Sequence, residues 1–388
     1  INIGSQRKVY LYWGLRSEDD LYSSLNFKRG PVMKNRFMLA PLTNSQSHED
    51  GTMSDDEFHW LTKRAEGGFG LTMTCAAHVQ LEGKGFPGQL GIFSDDQLPG
   101  LTRLASKIKE YESIAIAQLY HGGMRCPSDV IGMQPLSASD NEKWGAREMT
   151  LEEVETMIEA FINAGIRAER AGFDGVELHG AHGYLLAQFL SSDVNKRTDR
   201  FGGSLANRSA PLFEIIEGIR AACGVDFMVG VRLSPERFGM DLGEVLEIAQ
   251  KLMKGGLIEF LDMSLWDVFK EAEAEEYKGR SLLSYFSQLE RGDVRLGVAG
   301  KIVTPDDIEK VMGMGVDWVM LGKAGILHHD YPNQLKKNPN FVPATLPVSS
   351  DYLRNEGLSD TFVEYMKVWK GFVKGADGFV DADVILNS

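Results

Sequence analysis

Three residues whose side chains can bind an oxygen atom or transfer a proton lie close together in the segment His179-Gly-Ala-His182-Gly-Tyr184. An imidazole N–H can donate a hydrogen bond to an oxygen, and a phenol that stays neutral near pH 7 can give up its proton. Two histidines at this spacing can also bind zinc, although the nearby sequence supplies no obvious third ligand, and they can also be purely structural. We favour a substrate site in which His179 and His182 bind an oxygen that gains negative charge while Tyr184 donates a proton.

Two further polar residues lie inside apolar segments, Arg232 in Val-Arg-Leu-Ser-Pro and Gln118 in Ala-Gln-Leu-Tyr. A buried guanidinium needs a partner because desolvating an isolated charge is costly. That partner is either a neighbouring acidic residue or a bound anion. The amide of Gln118 is either a structural hydrogen-bonding group or one that recognises a planar ring with alternating donors and acceptors.

Glycine followed by lysine ends two later apolar runs, at Gly300-Lys301 and Gly322-Lys323. Glycine permits close approach of the main chain to a ligand, and lysine supplies a positive charge. Barrels of alternating strands and helices commonly hold a phosphate in the loops after strands seven and eight. The sequence therefore predicts a phosphate site formed by Gly300, Gly322 and Lys323.

The elements that must position these residues are eight short, almost continuously apolar runs, as expected of parallel strands buried on both faces. They span residues 36–42, 70–79, 113–120, 174–181, 227–235, 258–265, 294–300 and 317–324. Amphipathic segments separate them, and Thr150 with Glu153 and Thr304 with Pro305 mark helix starts. This alternation predicts an α/β fold, a single (β/α)8 TIM barrel, because an open dinucleotide-binding sheet should show GxGxxG after its first strand.

The predicted domain organisation is one barrel with two extensions. Residues 1–30 form an N-terminal extension, residues 31–335 the barrel, and residues 336–388 a C-terminal extension that packs on the barrel and contains a helix at 361–374. Ligands of such barrels bind at the C-terminal ends of the strands, which is where the polar residues above lie. We therefore expect one site for a small molecule there.

Composition excludes several classes of protein. A net charge of −14 argues against a nucleic-acid partner, and Cys75, Cys126 and Cys223 are too few and too dispersed for an iron–sulfur cluster. No apolar run approaches the ~20 residues of a membrane helix, and the first twenty residues carry too many charges for a signal peptide. We expect a cytoplasmic protein whose partner is a small-molecule substrate; the sequence is also compatible with a homo-oligomer.

Five motifs, in this order along the chain, resemble those of the old yellow enzyme family of NADH:flavin oxidoreductases. They are NRFMLAPLT (35–43), AQLYHGG (117–123), AGFDGVELHGAHGYLLAQFLS (171–191), NKRTDRFGGSLANR (195–208) and VRLSP (231–235). The resemblance extends from about residue 35 to residue 332. It implies a (β/α) barrel with non-covalently bound FMN, which NADPH or NADH reduces and which then reduces an alkene activated by a carbonyl or nitro group. The sequence leaves the choice between NADH and NADPH open.

The resemblance also implies a role for each matching residue. His179 and His182 bind the activating oxygen of the substrate, and Tyr184 protonates the carbon beside it. The remaining residues bind FMN. The main chain at Pro41 and Leu42, together with the residues Thr43 and Ala76, contacts the flavin ring, and Gln118 binds its pyrimidine edge. Arg232 stabilises negative charge on the reduced ring, and the phosphate is held by Gly300, Gly322 and Lys323.

The chain differs from its relatives at three positions. Lys323 replaces the usual arginine and lacks a bidentate fork, so FMN should bind less tightly. Thr43 replaces a redox-tuning cysteine found in one branch of the family, and Met124 lies where some relatives have an arginine. Two other functions are compatible with these residues, a flavin-dependent amine demethylase or dehydrogenase and a metal-dependent barrel lyase or hydrolase that uses His179 and His182.

Overall fold

A computed structural model describes residues 21–381 of the chain. Within that range, eight parallel strands close into a barrel in which β1 pairs with both β2 and β8. The strands are β1 (Phe37–Leu39), β2 (Leu71–His78), β3 (Ile114–Tyr120), β4 (Gly175–Gly180), β5 (Met228–Leu233), β6 (Phe260–Ser264), β7 (Arg295–Ala299) and β8 (Trp318–Leu321). Each strand lies inside one of the eight predicted apolar runs, which confirms the predicted (β/α)8 barrel.

Eight helices alternate with these strands around the outside of the barrel in the part of the chain that the structure describes. They are α1 (Asp55–Glu66), α2 (Leu98–Glu110), α3 (Leu151–Arg170), α4 (Leu205–Ala222), α5 (Leu242–Gly255), α6 (Leu282–Ser287), α7 (Pro305–Gly313) and α8 (Tyr331–Lys337). The predicted helix starts are confirmed, because Thr150 and Glu153 cap α3 reciprocally and Thr304 and Asp307 do the same for α7.

Additional short helices lie in the loops and after the barrel, at Ser128–Ile131, Leu185–Leu190, Lys323–Leu327, Ser350–Asn355 and Asp360–Lys367. Two-residue strands pair Leu136–Ser137 with Arg147–Glu148, and Trp369–Lys370 with Val380–Asp381. The loop segments that carry the predicted site residues follow β1, β4, β7 and β8 directly.

Apolar side chains fill the barrel interior. One cluster joins Met38, Met73, Ile116, Phe260 and Trp318 from five different strands, and all are at most 1% exposed. Leu25 and Met33, which precede β1 and pair with each other, belong to the same cluster. This packed layer fills the barrel interior, and ligands of such barrels bind at the C-terminal ends of the strands.

The predicted C-terminal helix is shorter than expected. The sequence predicted residues 361–374, whereas the helix ends at Lys367 and the chain continues into the short strand Trp369–Lys370. The apolar pattern past Lys367 comes from Trp369 of this strand and from Phe372 and Val373 beyond it, all of which are buried. Phe362 packs edge-on against Trp60 of α1 with ring centroids 4.8 Å apart, so the tail is attached to the barrel wall.

Some sequence-based expectations are not tested by this structure. The expected absence of a signal peptide concerns residues 1–20, which lie outside the described residues. Among residues 21–381 no helix combines the length and hydropathy required to cross a bilayer. The domain boundaries, the cytoplasmic location and the oligomeric state stay predictions.

We expect Phe362→Ala to lower the free energy of unfolding by about 3 kcal/mol or more, because it leaves a cavity at a fully buried position against Trp60. Phe379→Ala, in the same tail but 84% exposed, is the matched control and should leave the thermal unfolding midpoint unchanged. Equal midpoints for the two variants in thermal denaturation would show that the tail does not stabilise the barrel.

Candidate active site

A cavity that is open to solvent lies at the C-terminal ends of the barrel strands. Its wall combines residues from β1 to β5 with one residue of the C-terminal tail. The lining residues are Pro41, Leu42, Thr43, Ala76, Phe86, Gln118, Tyr120, His179, His182, Tyr184, Arg232 and Tyr365. A concave site with convergent polar groups is the usual form of a small-molecule site.

Nine of the twelve predicted site residues line this cavity, namely Pro41, Leu42, Thr43, Ala76, Gln118, His179, His182, Tyr184 and Arg232. The other three, Gly300, Gly322 and Lys323, follow β7 and β8 and do not line it. Sequence reasoning did not identify Phe86, Tyr120 or Tyr365. Tyr120 ends an apolar strand and Tyr365 lies on a tail helix, so neither showed a local signal for a binding role.

The two histidines and the tyrosine form one cluster of rings. His179 lies 5.0 Å from both His182 and Tyr184 between ring centroids, and His182 lies 6.3 Å from Tyr184. The main-chain N–H of Ala181 donates to Nδ1 of His179 at 3.3 Å. Since Nδ1 accepts, neutral His179 carries its proton on Nε2.

The main chain at His182 has an uncommon conformation that two neighbours hold in place. Its φ is 58°, in the left-handed region that few residues other than glycine adopt. The N–H of His182 donates to Oγ of Ser234 at 2.9 Å, and its carbonyl accepts a hydrogen bond from Arg125. Nε2 of His182 is buried and has no hydrogen-bond partner among the described residues. Such an orphaned donor or acceptor at a cavity indicates a missing ligand atom.

Electrostatics keep both imidazoles neutral. Burial, with the charges of Arg232 and Arg125 acting in the same direction, lowers the pKa of His182 to about 3. Burial also lowers the pKa of His179 well below its usual range, with His182 and Arg232 adding to the effect. Positive charge from two arginines also disfavours a cation at these histidines, and no group of three or more metal-ligating residues occurs within residues 21–381.

Gln118 and Arg232 are both connected to the buried carboxylate of Glu177. Nε2 of Gln118 donates to Oε1 of Glu177 at 2.8 Å, and Nε of Arg232 donates to the same oxygen at 2.9 Å. Of the two partners considered for Arg232, an acidic residue and a bound anion, the acidic residue is present as Glu177, and Arg232 also lines the cavity. Glu177 therefore fixes the orientation of both side chains at the cavity.

The segment after β1 and an irregularity in β2 complete this wall. Pro41, Leu42 and Thr43 follow β1 directly. The pairing of β2 with β3 shifts register between Met73 and Ala76, as at a β-bulge. Bulges are common beside active sites because they redirect the main chain.

The predicted phosphate residues lie at the ends of β7 and β8, which pair in parallel. Gly300 has a φ of 143°, and a Cβ there would lie 2.9 Å from the main-chain carbon of Trp266. Gly322 caps the short helix that Lys323 begins. Neighbouring strand ends therefore bring Gly300, Gly322 and Lys323 to the same edge of the barrel as the cavity, as the sequence indicated.

Two further phenols flank Tyr184. The rings of Tyr120 and Tyr184 are 4.6 Å apart between centroids, and burial raises the pKa of Tyr120 well above its usual value. Burial also raises the pKa of Tyr365, with a contribution from Tyr184. The guanidinium of Arg125 lies 4.8 Å from the centroid of the Tyr184 ring. The cavity thus contains three tyrosines, and only Tyr184 lies against both histidines and an arginine.

A sequence profile of the NADH:flavin oxidoreductase / NADH oxidase family matches residues 20–340. The chain belongs to this family, that of the old yellow enzymes. It is therefore an oxidoreductase, and the predicted cofactor, FMN with NADH or NADPH as its reductant, is confirmed for the family.

Individual members of the old yellow enzyme family cover most of the chain. A probable NADH-dependent flavin oxidoreductase of Bacillus subtilis, YqiG, is 36% identical over 82% of this chain and 88% of its own length. The old yellow enzyme homologue of Zymomonas mobilis superposes with a TM-score of 0.75 at 25% identity and covers 89% of this chain and 99% of its own. NADH:acrylate oxidoreductase of Vibrio harveyi is 34% identical over 81% of this chain, which spans 33% of that longer protein.

His182 stays neutral in the folded protein, whereas in the unfolded chain it binds a proton below about pH 6.5. The protein should therefore lose stability as the pH falls from about 6.5 toward about 3. Lowering the pH from about 7 to about 4 should therefore cost the wild type roughly 3 kcal/mol more unfolding free energy than His182→Asn. Asparagine suits this test because it tolerates the left-handed main chain.

Urea unfolding at several pH values measures this difference. His48→Asn, at an exposed position that does not line the cavity, is the control and should follow the wild type. Parallel curves for the wild type and His182→Asn would contradict a neutral His182 in the folded state.

Proposed function

We propose that this protein reduces alkenes activated by a carbonyl or nitro group, using FMN and NADH or NADPH, with Tyr184 as the proton donor. The observation that supports this most strongly is the convergence of His179, His182 and Tyr184 in one cavity with Gln118 and Arg232. Oxygen-binding donors and a proton donor thus lie together beside the residues suited to a flavin.

The cavity fits FMN in several respects. It is open to solvent, and Gln118 and Arg232 contribute polar groups to its lining. Gly300, Gly322 and Lys323 provide close main-chain approach and a positive charge at the neighbouring strand ends. When bound, FMN takes a hydride from the nicotinamide and supplies it to the alkene. Pro41, Leu42, Thr43 and Ala76 also line the cavity and would contact the ring.

The histidine pair would bind the activating oxygen of the substrate. Hydride addition to a conjugated alkene builds negative charge on that oxygen, so donors already placed there stabilise the transition state more than the ground state. His179 has its proton on Nε2, and Nε2 of His182 has no partner within the described chain. Neutral imidazoles suit this role because they orient toward the oxygen without protonating it.

Tyr184 would donate the proton to the carbon next to the activating group. Its ring touches His179 and lies beside Arg125, whose positive charge stabilises the phenolate that remains after proton transfer. Tyr120 is more deeply buried, and Tyr365 comes from the tail. Each is a less suitable donor because neither contacts both histidines.

The comparisons agree with an activated alkene without identifying it. Acrylate, named in the Vibrio harveyi relative, is an alkene conjugated to a carboxyl group. Because this chain matches one third of that protein, its substrate is not transferred here. Amine dehydrogenation is the alternative flavin chemistry, and product identification from a panel of enones, nitroalkenes and methylated amines distinguishes the two.

Tyr184→Phe should reduce the rate of alkene reduction by about 100-fold or more, because general acid catalysis by a placed side chain contributes at least that much. Reduction of the flavin by NADPH or NADH should change little, since that half-reaction needs no proton from the phenol. Anaerobic stopped-flow absorbance of the flavin measures the two half-reactions separately.

Tyr365→Phe and Tyr120→Phe are the matched controls, since each removes one hydroxyl from the same cavity. Both should retain most of the alkene reduction rate. Equal loss in all three variants, or equal loss of both half-reactions in Tyr184→Phe, would exclude Tyr184 as the specific proton donor.

Lys323→Met should weaken FMN binding by about tenfold, because it removes the charge that faces the phosphate, whereas Lys323→Arg should strengthen binding through a bidentate contact. Riboflavin lacks the phosphate and provides the control ligand, whose affinity should be the same for all three proteins. Fluorescence titration of the apoprotein gives both affinities. If Lys323→Met weakened riboflavin and FMN alike, Lys323 would not be a phosphate ligand.

A further inference from the structure

Two buried carboxyl groups flank the guanidinium of Arg232. Nε of Arg232 donates to Oε1 of Glu177 at 2.9 Å, and Nη2 lies 3.8 Å from Oδ2 of Asp262. The three residues come from adjacent strands β4, β5 and β6, and Arg232 pairs directly with Asp262 in the sheet register. Each side chain is at most 1% exposed. One positive charge therefore faces two acidic groups in an interior that water does not reach.

Several polar atoms of this cluster have no hydrogen bond when both acids are drawn as ionised. Among the described residues, Oε2 of Glu177, both carboxyl oxygens of Asp262 and Nε1 of Trp318 lack partners. Arg232 compensates one negative charge, and a second buried charge without a partner is strongly unfavourable. Native interiors rarely leave so many polar atoms unsatisfied in one place.

We propose that Asp262 is protonated at neutral pH and donates its proton to Oε2 of Glu177, so that Glu177, Arg232 and Asp262 together form a neutral cluster beneath the cavity. This single proton supplies a partner to Glu177 Oε2 and to one oxygen of Asp262. Oδ1 of Asp262 lies beside the indole Nε1 of Trp318, because both atoms adjoin the same position at Gly297.

The space around Gly297 supports this arrangement. A Cβ at Gly297 would lie 2.1 Å from both Oδ1 of Asp262 and Nε1 of Trp318, so these two atoms occupy the space that a side chain would fill. Gly297 pairs with Asp262 on one side and with Trp318 on the other. The glycine thereby lets the carboxyl and the indole approach each other across β7.

The electrostatic environment acts in the same direction. Burial raises the pKa of Asp262 well above its usual value, and the negative charge of Glu177 adds to this, while Arg232 opposes it. Among the described residues, the groups that act on Asp262 are Glu177 from β4, Arg232 from β5 and the uncharged indole of Trp318 from β8. Arg232 is closer to Glu177 than to Asp262, so its charge does not offset the cost of desolvating an ionised Asp262.

A neutral Asp262 has a consequence for the cofactor site. Arg232 lines the cavity. Its positive charge is balanced by the single negative charge of Glu177, so the cluster has no net negative charge. The proton also holds Glu177 so that Oε1 stays bonded to both Arg232 and Gln118. Asp262 is thus a positioning residue that preserves positive potential toward negative charge on the flavin. This inference depends on the family cofactor and is independent of the alkene substrate.

Infrared spectroscopy of protein grown with isotope-labelled aspartate tests the protonation directly. The wild type should show the carbonyl stretch of a protonated, label-sensitive carboxyl group at neutral pH, and Asp262→Asn should lose it. Asp317→Asn is the matched control, because Asp317 is also buried but accepts hydrogen bonds from Arg291 and from the main chain at 2.9 Å. Its band pattern in this region should equal that of the wild type.

Glu177→Gln tests the shared proton, since the band of Asp262 should shift or disappear when its acceptor changes. A wild type without a label-sensitive carboxyl band would overturn the proposal, and an unshifted band in Glu177→Gln would overturn the sharing. The wild-type measurement needs no variant, so the proposal can be refuted even if Asp262→Asn fails to fold.

The midpoint potential of bound FMN tests the charge balance independently of turnover. Asp262→Asn replaces one neutral group with another and should leave the potential at neutral pH unchanged. The double variant Glu177→Gln/Asp262→Asn removes a real negative charge and should raise the potential, which shows that the measurement is sensitive. A raised potential in Asp262→Asn alone would show that Asp262 is ionised in the wild type and would overturn the proposal.

Discussion

The ion pair between Arg232 and Glu177 is the interaction on which the rest of this site depends. Both groups are inside the barrel, and their hydrogen bond of 2.9 Å gives each buried charge a partner. Because Glu177 also accepts a hydrogen bond from Gln118, one carboxylate orients two cavity residues at once. Removing one partner of such a pair leaves an uncompensated charge, so the pair constrains both β4 and β5.

The parallel strands place this ion pair next to the other polar residues of the site. Successive residues on a strand point to opposite faces, so Glu177 and His179 share the interior face of β4. His179 pairs with Arg232 on β5, and Arg232 pairs with Asp262 on β6. One layer of the barrel therefore carries the imidazole to which we assign substrate binding, the guanidinium to which we assign cofactor binding and the acid that we propose to be protonated.

The main-chain conformation of His182 positions the residues at the edge of this layer. His182 adopts a left-handed main chain that hydrogen bonds from Arg125 and to Ser234 stabilise. Strain of this kind persists only where the surroundings determine the conformation, and it is frequent at functional sites. The result is that two histidines three residues apart meet at one cavity, while Tyr184 begins the next helix beside them.

The sequence by itself determined the barrel, because eight buried apolar runs separated by amphipathic helices allow few other folds, and it identified nine residues that line one cavity. This was possible because residues close together in the chain determine where each strand ends and which residue caps each helix. Only the tertiary structure decided that Tyr365 reaches the cavity from the tail, that Tyr120 lies beside Tyr184, and that Asp262 and Trp318 meet at Gly297. These contacts join residues far apart in the chain, and barrel closure, which no local pattern encodes, brings them together.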